Sequence, residues 1–203
     1  VTGIPINPRF EIPVARGDAR QKLHLSADNR VLLISAGGYG VGPVEQLVKD
    51  LLALGRPWQI VAIAGKAEKL KTRLEHLSKA AGKLPNGESR LLSVGFTEDM
   101  DQYMAAADAL IGKSGGLTTS EALARGLPMI LIEPIPGQEE RNADHLLEAG
   151  AAIRCNNLPA AAWKIATLLD HAEKLQEMSA AAKAMARPRA ARDIVEDALR
   201  LLN

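Results

Sequence analysis

Short apolar runs alternate with stretches of helical spacing along most of this chain, and that alternation limits the fold more than any other feature. The runs are 31–35, 60–64, 91–94, 109–111, 129–132 and 151–154, three to five residues each. Runs so short, and apolar at consecutive positions, suit strands buried on both faces of a parallel sheet. Between them, residues 43–54 place Val44, Leu47, Val48, Leu51 and Leu52 on one helical stripe. Residues 66–81, 98–106, 117–125 and 139–149 follow the same spacing, and Gly55, Gly82, Gly126 and Gly150 fall where those helices should stop. The spacing therefore predicts repeated βαβ units and a Rossmann-like, doubly wound parallel α/β sheet.

Three segments are expected. Residues 1–29 form an irregular lead-in, punctuated by Pro5, Pro8 and Pro13 and polar from 17 to 29. Residues 30–157 carry the α/β core. Residues 158–203 are purely helical, over 160–169, 172–186 and, after a break at Pro188, 190–202. With 3% aromatic residues in a 47% hydrophobic chain, aliphatic side chains must fill the core. The 25 basic residues barely exceed the 24 acidic ones, which gives no electrostatic reason to expect nucleic acid. A lone cysteine, Cys155, excludes an internal disulfide framework and fits a reducing compartment. No apolar run approaches the ~18–20 residues of a membrane helix. The opening VTGIPINPRF lacks the layout of a signal peptide and reads like the inside of a larger protein.

Several motifs are weighed and set aside. The glycine loop 35–42 follows the first strand and opens a helix, a geometry that brings backbone amides close to a phosphate. It fails the dinucleotide fingerprint: Gly38 and Gly40 match, but Pro43 occupies the third glycine position. Gly65-Lys66 also stands where a ribose-binding acid should close the second strand, so a nicotinamide-dependent enzyme is disfavoured. Gly112-Lys113-Ser114 lacks the upstream glycine of a P-loop, because Ala107 sits there. Asp99 and Asp101 spell D-x-D, yet they follow Thr97 and read as a capped, acidic first helical turn. The four histidines are scattered and make no metal spacing with Cys155.

Residues 112–151 are the informative stretch. A buried strand ends at Gly112, and Ser114-Gly115-Gly116 turns into a helix whose first turn should carry Thr118, Thr119 and Ser120. Hydroxyls and free amides at a helix N-terminus can receive a diphosphate. Glu121 is expected in that same turn, either as a capping carboxylate or as an acceptor for vicinal ribose hydroxyls. Gln138 and Glu139 follow the next strand, at the carboxyl edge where open α/β sheets bind ligands.

The run GGLTTSEALARGLPMILIEPIPGQEERNADHLLEAGAA resembles the donor-sugar signature of GT-B glycosyltransferases. It is most similar to the monogalactosyldiacylglycerol synthases and diacylglycerol glucosyltransferases, and less so to their peptidoglycan relative, the lipid-linked N-acetylglucosaminyltransferase. PGQEERNA is the discriminating piece, and VTGIPINPRF resembles the family's interdomain crossover. The resemblance implies that Glu121 binds the ribose of UDP and that Lys113, Ser114, Gly115, Gly116, Thr118 and Thr119 surround the diphosphate. It implies that Gln138 and Glu139 hold the hexose, with Asn142 supporting their loop. Val94 and Phe96 would line the uracil, and Gly38 and Tyr39 would face the cleft. No metal or resident cofactor is implied; UDP-galactose or UDP-glucose is the donor substrate. The general base and the diacylglycerol site would belong to an N-terminal half absent from this sequence, so the chain by itself is expected to be inactive. The full enzyme would sit at the cytoplasmic face of a membrane. Plainer readings stay open: Phe96 as core, Lys113 as a solvated charge, Asn142 as an exposed helical residue. Two rival functions also stand, transfer to the peptidoglycan lipid intermediate and a free-standing nucleotide-binding module without activity.

Overall fold

The computed structural model describes residues 2–37 and 42–202. Six parallel strands form one sheet: β1 (Arg30–Ser35), β2 (Trp58–Ile63), β3 (Leu91–Val94), β4 (Ala109–Gly112), β5 (Met129–Leu131) and β6 (Ala152–Arg154). Their order is β3-β2-β1-β4-β5-β6. Each expected run is a strand, and β2 begins two residues earlier than its apolar run because Trp58 and Gln59 are buried as well.

Nine helices flank the sheet among the described residues: α1 (Arg16–Lys22), α2 (Val44–Ala53), α3 (Glu68–Ala80), α4 (Met100–Ala106), α5 (Gly116–Ala124), α6 (Gln138–Glu148), α7 (Leu158–Asp170), α8 (Ala172–Met185) and α9 (Ala190–Leu201). Alternation within β1 shows why the runs had to be continuously apolar. Leu32 and Ile34 enter a core layer with Leu47, Leu51 and Ile165 from α2 and α7. Val31 and Leu33 enter the opposite layer, with Met104, Leu123 and Leu146 from α4, α5 and α6. Burial of each such aliphatic side chain contributes roughly 1.5–3 kcal/mol. Gly126 and Gly150, expected just past helix ends, take φ of +60° and +75°, a region that side-chain-bearing residues avoid.

One expectation fails. The lead-in is not wholly irregular, for it contains a 3-10 turn at Pro8–Glu11 and the helix α1. Seven residues with no apolar stripe make no stable helix alone. Tertiary bonds hold α1 in place. Arg20 is buried and donates to the carbonyls of Ala27, Asn29 and Ala106 and, at 2.9 Å, to Asp108. Asp108, just before β4, also accepts from Arg16 at 3.0 Å, Arg30 at 3.2 Å and the Val31 amide at 2.8 Å. The α1 register is thus set by an acid some ninety residues downstream.

Candidate functional site

In this strand order the connections of β1 and β4 leave toward opposite faces of the sheet, which opens a crevice at the carboxyl ends of the strands. The strands are all parallel, so the segments that leave β2 to β5 start from that same edge. Gly38 and Tyr39, expected to face this cleft, lie outside the described residues.

The loop after β4 is tied to the start of α6. Ser114 is fully buried, and its hydroxyl donates to the Glu139 carbonyl at 2.6 Å. The Asn142 amide returns a bond to the Ser114 carbonyl at 2.8 Å. Glu139 in turn accepts the Ile135 amide at 2.7 Å, so the 133–139 loop folds back on the first turn of α6. Asn142 therefore ties the loop after β4 to the first turns of α6 and is more than an exposed helical residue. Ser114 supports the loop with its side chain, which leaves backbone amides as what its turn can offer a ligand. Replacing Ser114 by alanine should cost about 1 kcal/mol of stability, the usual worth of one buried bond, read as a lower urea midpoint.

Gly115 caps α5 in an extended conformation with no side chain filling the cap, and helix geometry leaves the amides of the first turn without intrahelical partners. These donors and the half-buried Lys113, which makes no ion pair among the described residues, border the crevice. Thr118 is half-buried on the first turn. Thr119 is 8% exposed, and its hydroxyl finds no partner among the described residues. Gly116 and Gln138 face each other across the gap: a Cβ on Gly116 would lie 3.9 Å from the Gln138 amide nitrogen.

Glu121 occupies the second turn of α5 and not the first, so the capping role falls away. Its carboxylate has no hydrogen bond or ion pair among the described residues, and burial pushes its pKa up to about 7. It lines a cleft of about 390 Å³ with Asn7, Arg9, Phe10, Thr97 and Met100. Asp99 and Asp101 diverge from the helix-cap reading in detail. Asp99 itself is the N-cap, Thr97 accepts its amide at 3.0 Å, and Asp101 is buried against Arg125 at 3.6 Å.

Val94 ends β3, and Phe96 stands 64% exposed beyond it, which removes the core reading of Phe96. The Lys66 ammonium lies 5.5 Å from the Phe96 ring centroid. Sequence reasoning missed Lys66, although its signal was present: a lysine two residues past a buried apolar run, at the carboxyl edge. It also missed Asn7 and Arg9, whose approach to Glu121 no local pattern announces.

A doubly wound sheet of this strand order is one half of a GT-B glycosyltransferase architecture. The glycosyltransferase family 28 C-terminal domain matches residues 36–197, and the chain belongs to that family. It is 36% identical over 197 residues to a processive diacylglycerol β-glucosyltransferase of Bacillus pumilus, covering 97% of this chain and 50% of the relative. The enzyme of that name from Bacillus subtilis is 35% identical over 201 residues, with 98% and 51% covered. The chain thus spans about half the length of these curated relatives. Among solved structures, Acinetobacter baumannii MurG aligns with a TM-score of 0.71 at 23% identity, over 92% of this chain and 53% of that one. Anabaena HepE, solved with UDP and glucose, aligns at 0.63 and 21%, over 96% and 54%. At those identities the structures speak to the fold alone.

Proposed function

We propose that this chain is the donor-binding half of a hexosyltransferase that moves glucose or galactose from a UDP-sugar to diacylglycerol. The observation that carries the reading is Glu121, a desolvated carboxylate without a partner among the described residues, beside Thr97 in a cleft at the carboxyl edge. A ribose with two neighbouring hydroxyls supplies the donors that such a group lacks. The first-turn amides of α5 and Lys113 would meet the diphosphate, Gln138 and Glu139 the hexose, and Val94 and Phe96 the base. Negative charge developing on departing UDP is then stabilised by oriented amides and an ammonium, groups that need no resident metal.

The relatives' names favour glucose over galactose and diacylglycerol over the peptidoglycan intermediate. The general base and the lipid-binding face belong, in this reading, to an upstream half that would bring the protein to a membrane surface. Among the described residues no helix is long and apolar enough to cross a membrane. UDP at a hundred times its dissociation constant should stabilise the chain by about 2.7 kcal/mol, seen as a rise in melting temperature that NAD does not produce. A rise with NAD and none with UDP overturns the donor assignment. Product analysis of the full-length protein, offered both donors and diacylglycerol, separates the hexoses; release of a peptidoglycan-type product instead would replace the acceptor.

A further inference from the structure

At the amino edge of the sheet, opposite the donor crevice, one carboxylate faces more positive charge than it can balance. Oδ1 of Asp108 accepts from Arg16 and Arg30, and Oδ2 from Arg20 and the Val31 amide. Arg20 spends its other donors on backbone carbonyls and belongs to the fold. Arg16 and Arg30 differ, with side chains 53% and 36% exposed. Each gives Asp108 one N–H and lines a cleft of about 460 Å³.

Lys183 of α8 lines the same cleft. Its stem lies across Gly126, where a Cβ would come within 2.6 Å of the lysine Cγ and Cε. Its ammonium has no ion pair among the described residues. Gln176 adds an amide, while Pro128, Leu175 and Ala180 give an apolar side with room for a body attached to a charged group. Asp108 is the one carboxylate among the lining residues, already saturated by four donors. Cations gathered this closely repel one another unless an anion joins them, and guanidinium forks with an ammonium match the oxygens of a phosphate.

We propose that this cleft binds a phosphate group, carried either by a small soluble molecule or by a lipid headgroup. It lies across the sheet from Glu121 and Lys113, so it fills independently of the donor site and holds whether or not the UDP assignment does.

The test is calorimetric titration of the chain with inorganic phosphate and with glycerol 3-phosphate at constant ionic strength, alongside flotation with phosphatidylcholine vesicles with and without phosphatidic acid. Binding of either probe is expected. It should weaken about tenfold or more in R16Q/K183Q and persist in K113Q, which alters only the donor crevice. Uptake of glycerol 3-phosphate without flotation identifies a soluble ligand, and flotation only with phosphatidic acid identifies a headgroup. The proposal is overturned if neither probe binds, if R16Q/K183Q keeps its affinity, or if K113Q abolishes it. Should the double variant unfold at a lower midpoint, K183Q alone serves, since that ammonium makes no ion pair among the described residues.

Discussion

Replacing Asp108 by alanine is expected to lower the unfolding free energy by about 3–5 kcal/mol, the usual cost of removing one partner from a buried ion pair. Its carboxylate is 4% exposed and joins four donors from two separate segments: Arg16 and Arg20 of α1, and Arg30 and the Val31 amide at the start of β1. Without it, the buried Arg20 guanidinium keeps a charge with no counterion. Burial already pulls Arg20 below its ordinary pKa, and Asp108 is the group that opposes this. In a chain of this length the loss corresponds to a melting temperature lower by about 6–20 °C. Asp108→Asn retains a carbonyl oxygen and should fall between the two. A midpoint within about 0.5 kcal/mol of the parent for Asp108→Ala would reduce the network to surface decoration.

The second large effect concerns Glu121 and couples binding to pH. In the proposed donor site, Glu121→Ala should weaken UDP binding by about 1–3 kcal/mol, because charged hydrogen bonds to the ribose are lost. The same residue has the opposite effect on the empty protein. Its carboxyl is held up to about 7 by burial, against an ordinary value of 4.5. The folded chain therefore retains a proton that the unfolded chain releases, and stability falls as pH rises between those values and stays lower above them. Glu121→Gln removes that penalty. It should stabilise the free protein at pH 8 by about 1–2 kcal/mol, discounted because the group is partly exposed, and leave it unchanged near pH 4.

Ribose hydroxyls bond best to the ionised form, so UDP affinity should rise with pH and level off above about 7. Binding near pH 6.5 should release a proton, visible as a calorimetric enthalpy that changes with the ionisation heat of the buffer. Affinity flat from pH 5.5 to 8, together with an unaltered Glu121→Ala, would return the residue to a purely structural place in α5. A Glu121→Gln variant no more stable than its parent at pH 8 would show that the cleft hydrates the carboxylate fully.

Much of this architecture was legible one segment at a time. Each strand of the sheet coincides with an apolar run, and each of the five core helices with a stretch of helical spacing. α1 was invisible because nothing local calls for it; its support comes from Asp108, far along the chain. The placement of Glu121 went astray for a smaller reason. The sequence reading put residues 118–121 in the first turn, whereas α5 begins at Gly116, so Glu121 is its sixth residue and lies past the first 3.6-residue turn. Phe96 was ambiguous in principle, since a loop residue after a strand turns inward or outward according to neighbours such as Lys66, which the linear pattern does not supply.

By itself the sequence determined the alternation of strand and helix, the burial of the sheet on both faces and the segment in which a donor site would lie. Those properties follow from the 2.0 and 3.6 residue periods of apolar side chains, and each is written within a dozen residues. Tertiary structure alone decided which groups come together: Ser114 with Glu139, Lys66 with Phe96, Asn7 and Arg9 in one cleft with Glu121, and three arginines with Asp108. Each meeting joins segments at least 25 residues apart, so it depends on how helices and strands stack, a choice made by the whole core and not by any local period.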